Sequence, residues 1–247
     1  MEAIETFEQD GWKAEIHYDE WGSEGANPRG YDNLGTMVCW HPDYILGDFQ
    51  IKDGGGYGAV EAIYETDRGR SDFKSMRHLY RYVRLLAAGG VVLPLYLYDH
   101  SGISMRAGSP SPFDNPTIRR DHHGHGLGWD TSMVGYIYTT EDRIRELCGD
   151  GAEYREPAWI ANALEEEVEE YDLYLTGQVY YWLVRDPDGD VVESCGGYLG
   201  HESAEEEAKA ALASAAQVEN ANRHFQEKAD RLAAEREEIL ARIVEEV

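Results

Sequence analysis

Positive charge is what this 247-residue chain has least of: 22 lysines and arginines stand against 48 aspartates and glutamates, a formal net charge of −26. A surface so poor in basic groups repels nucleic acid and anionic lipid and attracts basic surfaces or cations. Direct nucleic-acid binding is therefore not expected. Cysteine is scarce too. Cys39, Cys148 and Cys195 are odd in number, far apart and free of any Cys-x-x-Cys pair, which argues against a disulfide framework and for reduced thiols in a cytoplasm. Long apolar runs are also missing. The longest, Leu85 to Tyr98, is broken by Gly89, Gly90 and Pro94 and falls short of the about 20 residues a membrane span needs. Glu2, Glu5 and Glu8 open the chain without the basic-then-apolar order of a secretion signal. The expectation is a cytoplasmic protein with no membrane segment.

What is present supports a folded chain, since 42% of the residues are hydrophobic, enough for a large core. Trp12 to Asp19 alternates like a half-buried strand, and Thr36 to Trp40 reads as a short apolar strand running into a loop at Pro42. Residues 53–58, DGGGYG, read as a flexible loop. Met76, Leu79, Tyr80, Val83 and Leu86 recur at helical spacing within Asp72 to Ala88, with Gly89 as the stop. Val91 to Tyr98 reads as a buried strand, and Ser101 to Asp130, rich in Gly, Pro, Ser and His, as a long loop of the kind that is functional or disordered. Val134 to Tyr138 is a further strand, and Thr140 caps a helix from Glu141 to Leu147. Pro157 opens a helix that runs through Leu175 and closes at Gly177. Gln178 to Arg185 and Asp190 to Ser194 form a hairpin around Asp186-Pro187-Asp188-Gly189. The pattern predicts an α+β fold: an antiparallel or mixed sheet with flanking helices in one domain, residues 1–200, followed by a long C-terminal helix, 201–247.

That helix carries the most regular spacing in the chain. From Ser203 onward there is no Gly and no Pro, and Ser203 with Glu206 matches a capping box. Ala204, Ala211, Val218, Phe225, Leu232 and Ile239 recur every seven residues. Ala208, Ala215, Asn222, Ala229, Arg236 and Ile243 follow four after each. This is a coiled-coil seam, and self-association as a homodimer through the helix is expected over packing back on its own domain.

The acidity is uneven. Residues 151–207 hold 16 carboxylates against only Arg155 and Arg185. Glu165, Glu166, Glu167, Glu169, Glu170, Asp172, Glu205, Glu206 and Glu207 form the densest part, a candidate face for a partner with a basic surface. Candidate chemistry is thinner. His41, Asp99, His100 and Asp130 follow or precede predicted strands, where side chains of metal-ligating type would meet if the strand ends converge. Asp121-His122-His123-Gly124-His125 has suitable ligand types but no standard spacing, and reads as a solvated loop. Asp186, Asp188 and Asp190 lack the glycine and terminal glutamate of a calcium loop, so a turn explains them. The glycines at 54, 55, 56 and 58 lack the lysine and the strand-to-helix setting of a phosphate loop. No Gly-x-Ser-x-Gly nucleophile elbow occurs.

Several segments taken together carry a resemblance: Asn33 to His41 (NLGTMVCWH) with Leu46-Gly47-Asp48, Leu95 to Ile103 (LYLYDHSGI), Trp129-Asp130-Thr131 with Val134 to Tyr138, and Tyr171 to Gly177 (YDLYLTG). Over about residues 31–200 the chain resembles a widespread family of uncharacterised proteins from tailed phages and other mobile elements. The resemblance implies an origin and carries over no catalytic residue. The His-rich stretch before Trp129 and the long terminal helix look like additions to that pattern. Charge and resemblance together lead to the expectation of a phage-encoded acidic host-interaction protein, a nucleic-acid mimic of the antirestriction or anti-CRISPR type, with no cofactor. The alternative is a metal-dependent hydrolase acting on a nucleotide or nucleic acid through His41, Asp99, His100 and Asp130 and a divalent metal.

Overall fold

The computed structural model describes residues 2–20, 25–50, 90–108, 130–151 and 153–245. The glycine loop at 53–58, the helix expected over 72–88 and the His-rich stretch at 121–125 lie outside the described residues. The fold is α+β, with two sheets and, among the described residues, three α-helices. None of these helices is long and apolar enough to cross a membrane.

The chain divides into two compact units. One unit is Met1–Ala26 with Val179–Val247, and the other is Asn27–Gln178. The physical reason lies in strand pairing: the second strand of the chain hydrogen-bonds to a strand that begins at Val179, so both chain ends build one sheet.

In the first unit, β1 (Glu5–Gln9), β2 (Trp12–Tyr18), β8 (Val179–Arg185) and β9 (Val191–Leu199) form an antiparallel sheet in the order β1-β2-β8-β9. β1 escapes a pattern search because Glu5, Glu8 and Gln9 leave few apolar residues to alternate. Its hairpin is set by Asp10 and Gly11, both at positive φ (53° and 87°), the conformation that a two-residue turn with the strands' own twist requires. The turn between β8 and β9 is closed by the Asp186 carboxylate, which accepts from the Asp188 and Asp190 amides at 3.0 and 2.9 Å. The acidic triplet is thus a turn.

α3 (His201–Glu245) covers one face of this sheet. Ala204, Ala208 and Leu212 pack on Ala14, Ile16, Tyr180, Trp182 and Val184, and Ala216 is buried in the same stripe. Small residues let helix and sheet approach closely, and the i, i+4 spacing keeps one narrow stripe facing inward. The helix begins at His201, so Ser203 lies within its first turn and is not its cap. The first four turns of the helix thus pack on the sheet of their own unit.

In the second unit a five-stranded sheet runs β4-β3-β7-β5-β6, from β3 (Thr36–Cys39), β4 (Phe49–Gln50), β5 (Val92–Asp99), β6 (Ile103–Ala107) and β7 (Thr131–Tyr138). Only β3 and β4 are parallel. Ile103–Ala107 corrects the expected loop over 101–130: β6 pairs with β5 from Asp99↔Ile103 to Leu95↔Ala107, a hairpin whose tight link, Ser101 at φ 59° and Gly102 at φ 150°, hides in a Gly/Ser-rich run. α1 (Glu141–Cys148) starts at Thr140, whose hydroxyl accepts from the Arg143 amide. α2 (Pro157–Leu175) packs Ile160, Leu164, Val168 and Tyr171 into a core with Met37, Leu95, Leu97, Met105 and Ile137.

Candidate partner-binding face

α2 positions six of the nine acidic residues singled out in the sequence, and it divides them between two surroundings. Its apolar stripe at 160, 164, 168 and 171 faces the core. At 100° per residue, Glu165, Glu169, Glu166 and Glu170 then fall on a contiguous arc of roughly 140° away from it, and all four are exposed. None of the four has an ion-pair partner among the described residues.

Glu167 and Asp172 are different, since each is paired with an arginine. Glu167 sits at the edge of the buried stripe. It accepts from the Leu34 and Gly35 amides and from Arg29 Nη1 at 3.1 Å. Arg29 is held from its other side by Asp48, with Nε donating at 2.9 Å and Nη2 at 2.6 Å, and its side chain is only 3% exposed. Burial disfavours the charged guanidinium, but the hydrogen bonds and charges of Asp48 and Glu167 outweigh that and raise Arg29 above its ordinary range. Gly35 is required at this corner: a Cβ there would lie 2.6 Å from both Ile137 and Leu164. Asp172 is buried, accepts from the Met105 amide at 2.7 Å and pairs with Arg106 Nη1 at 2.8 Å. Both carboxylates anchor α2 to its sheet and are neutralised in doing so, which withdraws them from a partner.

The remaining three acidic candidates belong to the other unit. Glu206 and Glu207 are exposed on α3, whereas Glu205 pairs with Lys209 and lies 3.7 Å from His201 Nδ1. The bond from Lys209 is the chief reason the Glu205 carboxyl is held below its usual range. His201 Nε2 is also 3.2 Å from Glu5 Oε2. Among the described residues, Glu5, His201 and Glu205 are the group whose three potential ligand atoms come within 4.8 Å of one another. Lys209 already occupies one of these carboxylates, so the arrangement is satisfied as an ion-pair network.

The four residues of the metal alternative come together only as pairs. His41 Nδ1 accepts from the Asp43 and Tyr44 amides at 3.2 Å each, so this nitrogen is engaged by its own loop. Its ring stacks on Tyr44 at 4.8 Å, and the Tyr44 hydroxyl donates to Asp99 Oδ1 at 3.2 Å. That bond is the main cause of the upward shift of Tyr44. His100 Nδ1 lies 3.3 Å from Asp130 Oδ2 at exposed positions, and the Asp99 amide donates to the Asp130 carbonyl at 2.8 Å. These contacts close the β5–β6 and β7 ends.

Sequence reasoning passed over Arg29, Asp48 and Arg106, the partners that separate anchoring from free carboxylates. Arg29 and Arg106 are isolated basic residues in the sequence, and only the fold brings Asp48 and Glu167 to the first and Asp172 to the second. Comparison with known proteins gives no match: no family model, no curated protein and no solved structure is significantly similar to this chain.

Proposed function

We propose that the protein is an acidic host-interaction factor of the phage-encoded, anti-defence kind, which occupies the basic nucleic-acid-binding surface of a host protein with the outer face of α2. It works as a homodimer joined through α3. One observation supports this reading above the others: Glu165, Glu166, Glu169 and Glu170 are exposed, on one face and without an ion-pair partner among the described residues, while their neighbours Glu167 and Asp172 are consumed by arginines.

Line density makes the comparison with nucleic acid quantitative. Four carboxylates over five helical rises of about 1.5 Å give one charge per roughly 2 Å of axis, against about one per 1.7 Å in duplex DNA. The arrangement also works against the helix that bears it. Like charges at i, i+4, here 165/169 and 166/170, cost about 0.2–0.5 kcal/mol per pair. α2 has no basic residue in its last turn to offset this. A face that lowers local stability without a structural return is one that a partner uses.

The test is capture of partners from host lysate with the full chain, followed by salt titration and by competition with duplex DNA. The expected result is a nucleic-acid-binding protein released both by rising salt and by DNA. The variant E165Q/E166Q/E169Q/E170Q should lose it by about 100-fold, since four solvent-exposed ion pairs contribute about 0.7 kcal/mol each. Retention of the same partner by the fourfold variant would overturn the reading.

A further inference from the structure

The first four turns of α3 are taken up by its own sheet, but the seven-residue apolar repeat continues beyond them. Val218, Phe225 and Leu232 are 59%, 70% and 52% exposed. Seven residues of helix rise about 10.5 Å, so they form a straight row at that interval on one side of the rod. Ala229 and Arg236, four after Phe225 and Leu232, complete a two-column seam in which no described residue covers the large side chains. Three large apolar groups aligned on one seam are the signature of an unpaired helix–helix interface, not of scattered surface residues.

Charge identifies the occupant. Between 218 and 237 the helix carries Glu219, Glu227, Asp230, Glu235 and Glu237 against Arg223, Lys228, Arg231 and Arg236, balanced to within one charge in a chain of net −26. A strongly basic partner gains little there, whereas a second copy meets no net repulsion. Orientation follows from the same residues. A parallel in-register pair stacks Arg236 on its own copy inside the seam and brings no opposite charges beside it. An antiparallel pair avoids this. In the register that sets Phe225 opposite Arg236 and Ala229 opposite Leu232, the guanidinium lies over an aromatic ring. The flanking position then brings Lys228 beside Glu235, twice by symmetry. A slip of one heptad in either direction puts Lys228 against Lys228 or Glu235 against Glu235, so the charges select this register over its neighbours.

We infer that α3 pairs with α3 of a second copy as an antiparallel coiled coil from Val218 onward, with the twofold axis between Asp230 and Arg231. This specifies the self-association proposed above and does not depend on the face of α2.

Sedimentation equilibrium of the full chain, in reductant, tests it. The wild type should be dimeric at about 10 µM, the range in which short two-stranded interfaces assemble. Phe225→Asp with Leu232→Asp should abolish the dimer and leave the circular dichroism of the proximal half intact, because both positions are exposed. Lys228→Glu and Glu235→Lys should each weaken it on the order of ten-fold, two attractive pairs being replaced by two repulsive ones. The double charge reversal should restore it to within about two-fold of wild type. A monomeric wild type overturns both this inference and the self-association beneath it. A dimer indifferent to the Asp substitutions overturns the interface, and single reversals without rescue in the double overturn the antiparallel register alone.

Discussion

Glu166 and Glu167 are adjacent in the chain and identical in chemistry, yet one step of 100° around α2 gives them opposite surroundings. Glu166 faces solvent with Glu165, Glu169 and Glu170 around it, whereas Glu167 accepts two backbone amides and one nitrogen of a buried arginine. α3 repeats the contrast along its length. Leu212 is 4% exposed against the sheet, whereas Leu232, more than four turns past Ala216, the last buried residue of the helix, is 52% exposed. What differs in both helices is desolvation. A carboxylate or leucine that has left water has its energy set by the partners it found, and one that remains in water is available to a partner not yet bound.

The sharpest way to break this contrast is to exchange the employments of neighbouring residues. Glu167→Ala strips the Leu34 and Gly35 amides of their acceptor and leaves Arg29 to Asp48 and the Gly35 carbonyl, and unfolding experiments in urea should show a loss of about 2–4 kcal/mol. Glu166→Ala should stay within about 0.5 kcal/mol of wild type. Equal effects at the two positions would dissolve the distinction between anchoring and free carboxylates. In α3, Leu212→Ala should cost about 2–4 kcal/mol because it empties a packed site, while Leu232→Ala should leave the unfolding of the first unit nearly unchanged and act on self-association instead. A smaller effect has the opposite sign. E165Q/E166Q/E169Q/E170Q should stabilise the fold by about 1 kcal/mol at low salt, and the gain should shrink as salt screens the repulsion.

The mildest test uses Cys39. Burial pushes its thiol up to about 12, with the charge of Asp48 adding to the shift and Arg29 opposing it. A pKa raised in the folded state means that the folded chain keeps a proton the unfolded chain releases. The contribution to stability is therefore complete below pH 9 and declines as pH rises from there toward 12. Denaturation midpoints measured at pH 7, 9 and 10.5 should fall over the last interval more in wild type than in Cys39→Ala. Maleimide at pH 8 should label exposed Cys195 and spare Cys39 in the folded protein.

Much of the local structure was legible because it rests on short-range periodicity and turn chemistry. The alternation of Trp12–Tyr18, the cap at Thr140, Pro157 as a helix start and the Asp186 turn all act within a few residues. β1 and β6 were not legible, since an acidic strand and a strand after a Gly/Ser link carry no period that separates them from loops. The candidate site shows the same limit. The density of glutamates between 165 and 172 is plain in the sequence, but which of them remain charged at the surface depends on Arg29 and Arg106, far away in the chain.

By itself, the sequence determined an α+β fold, a surplus of negative charge concentrated between 151 and 207, and a terminal helix with a seven-residue apolar repeat. Tertiary structure alone decided that the two chain ends share one sheet, that the first turns of that repeat are spent on it, and that Glu167 and Asp172 are anchors. Periodicity and composition act between neighbours, and the sequence records them. Desolvation and ion pairing act between residues brought together from opposite ends of a unit, and only the folded chain specifies which pairs those are.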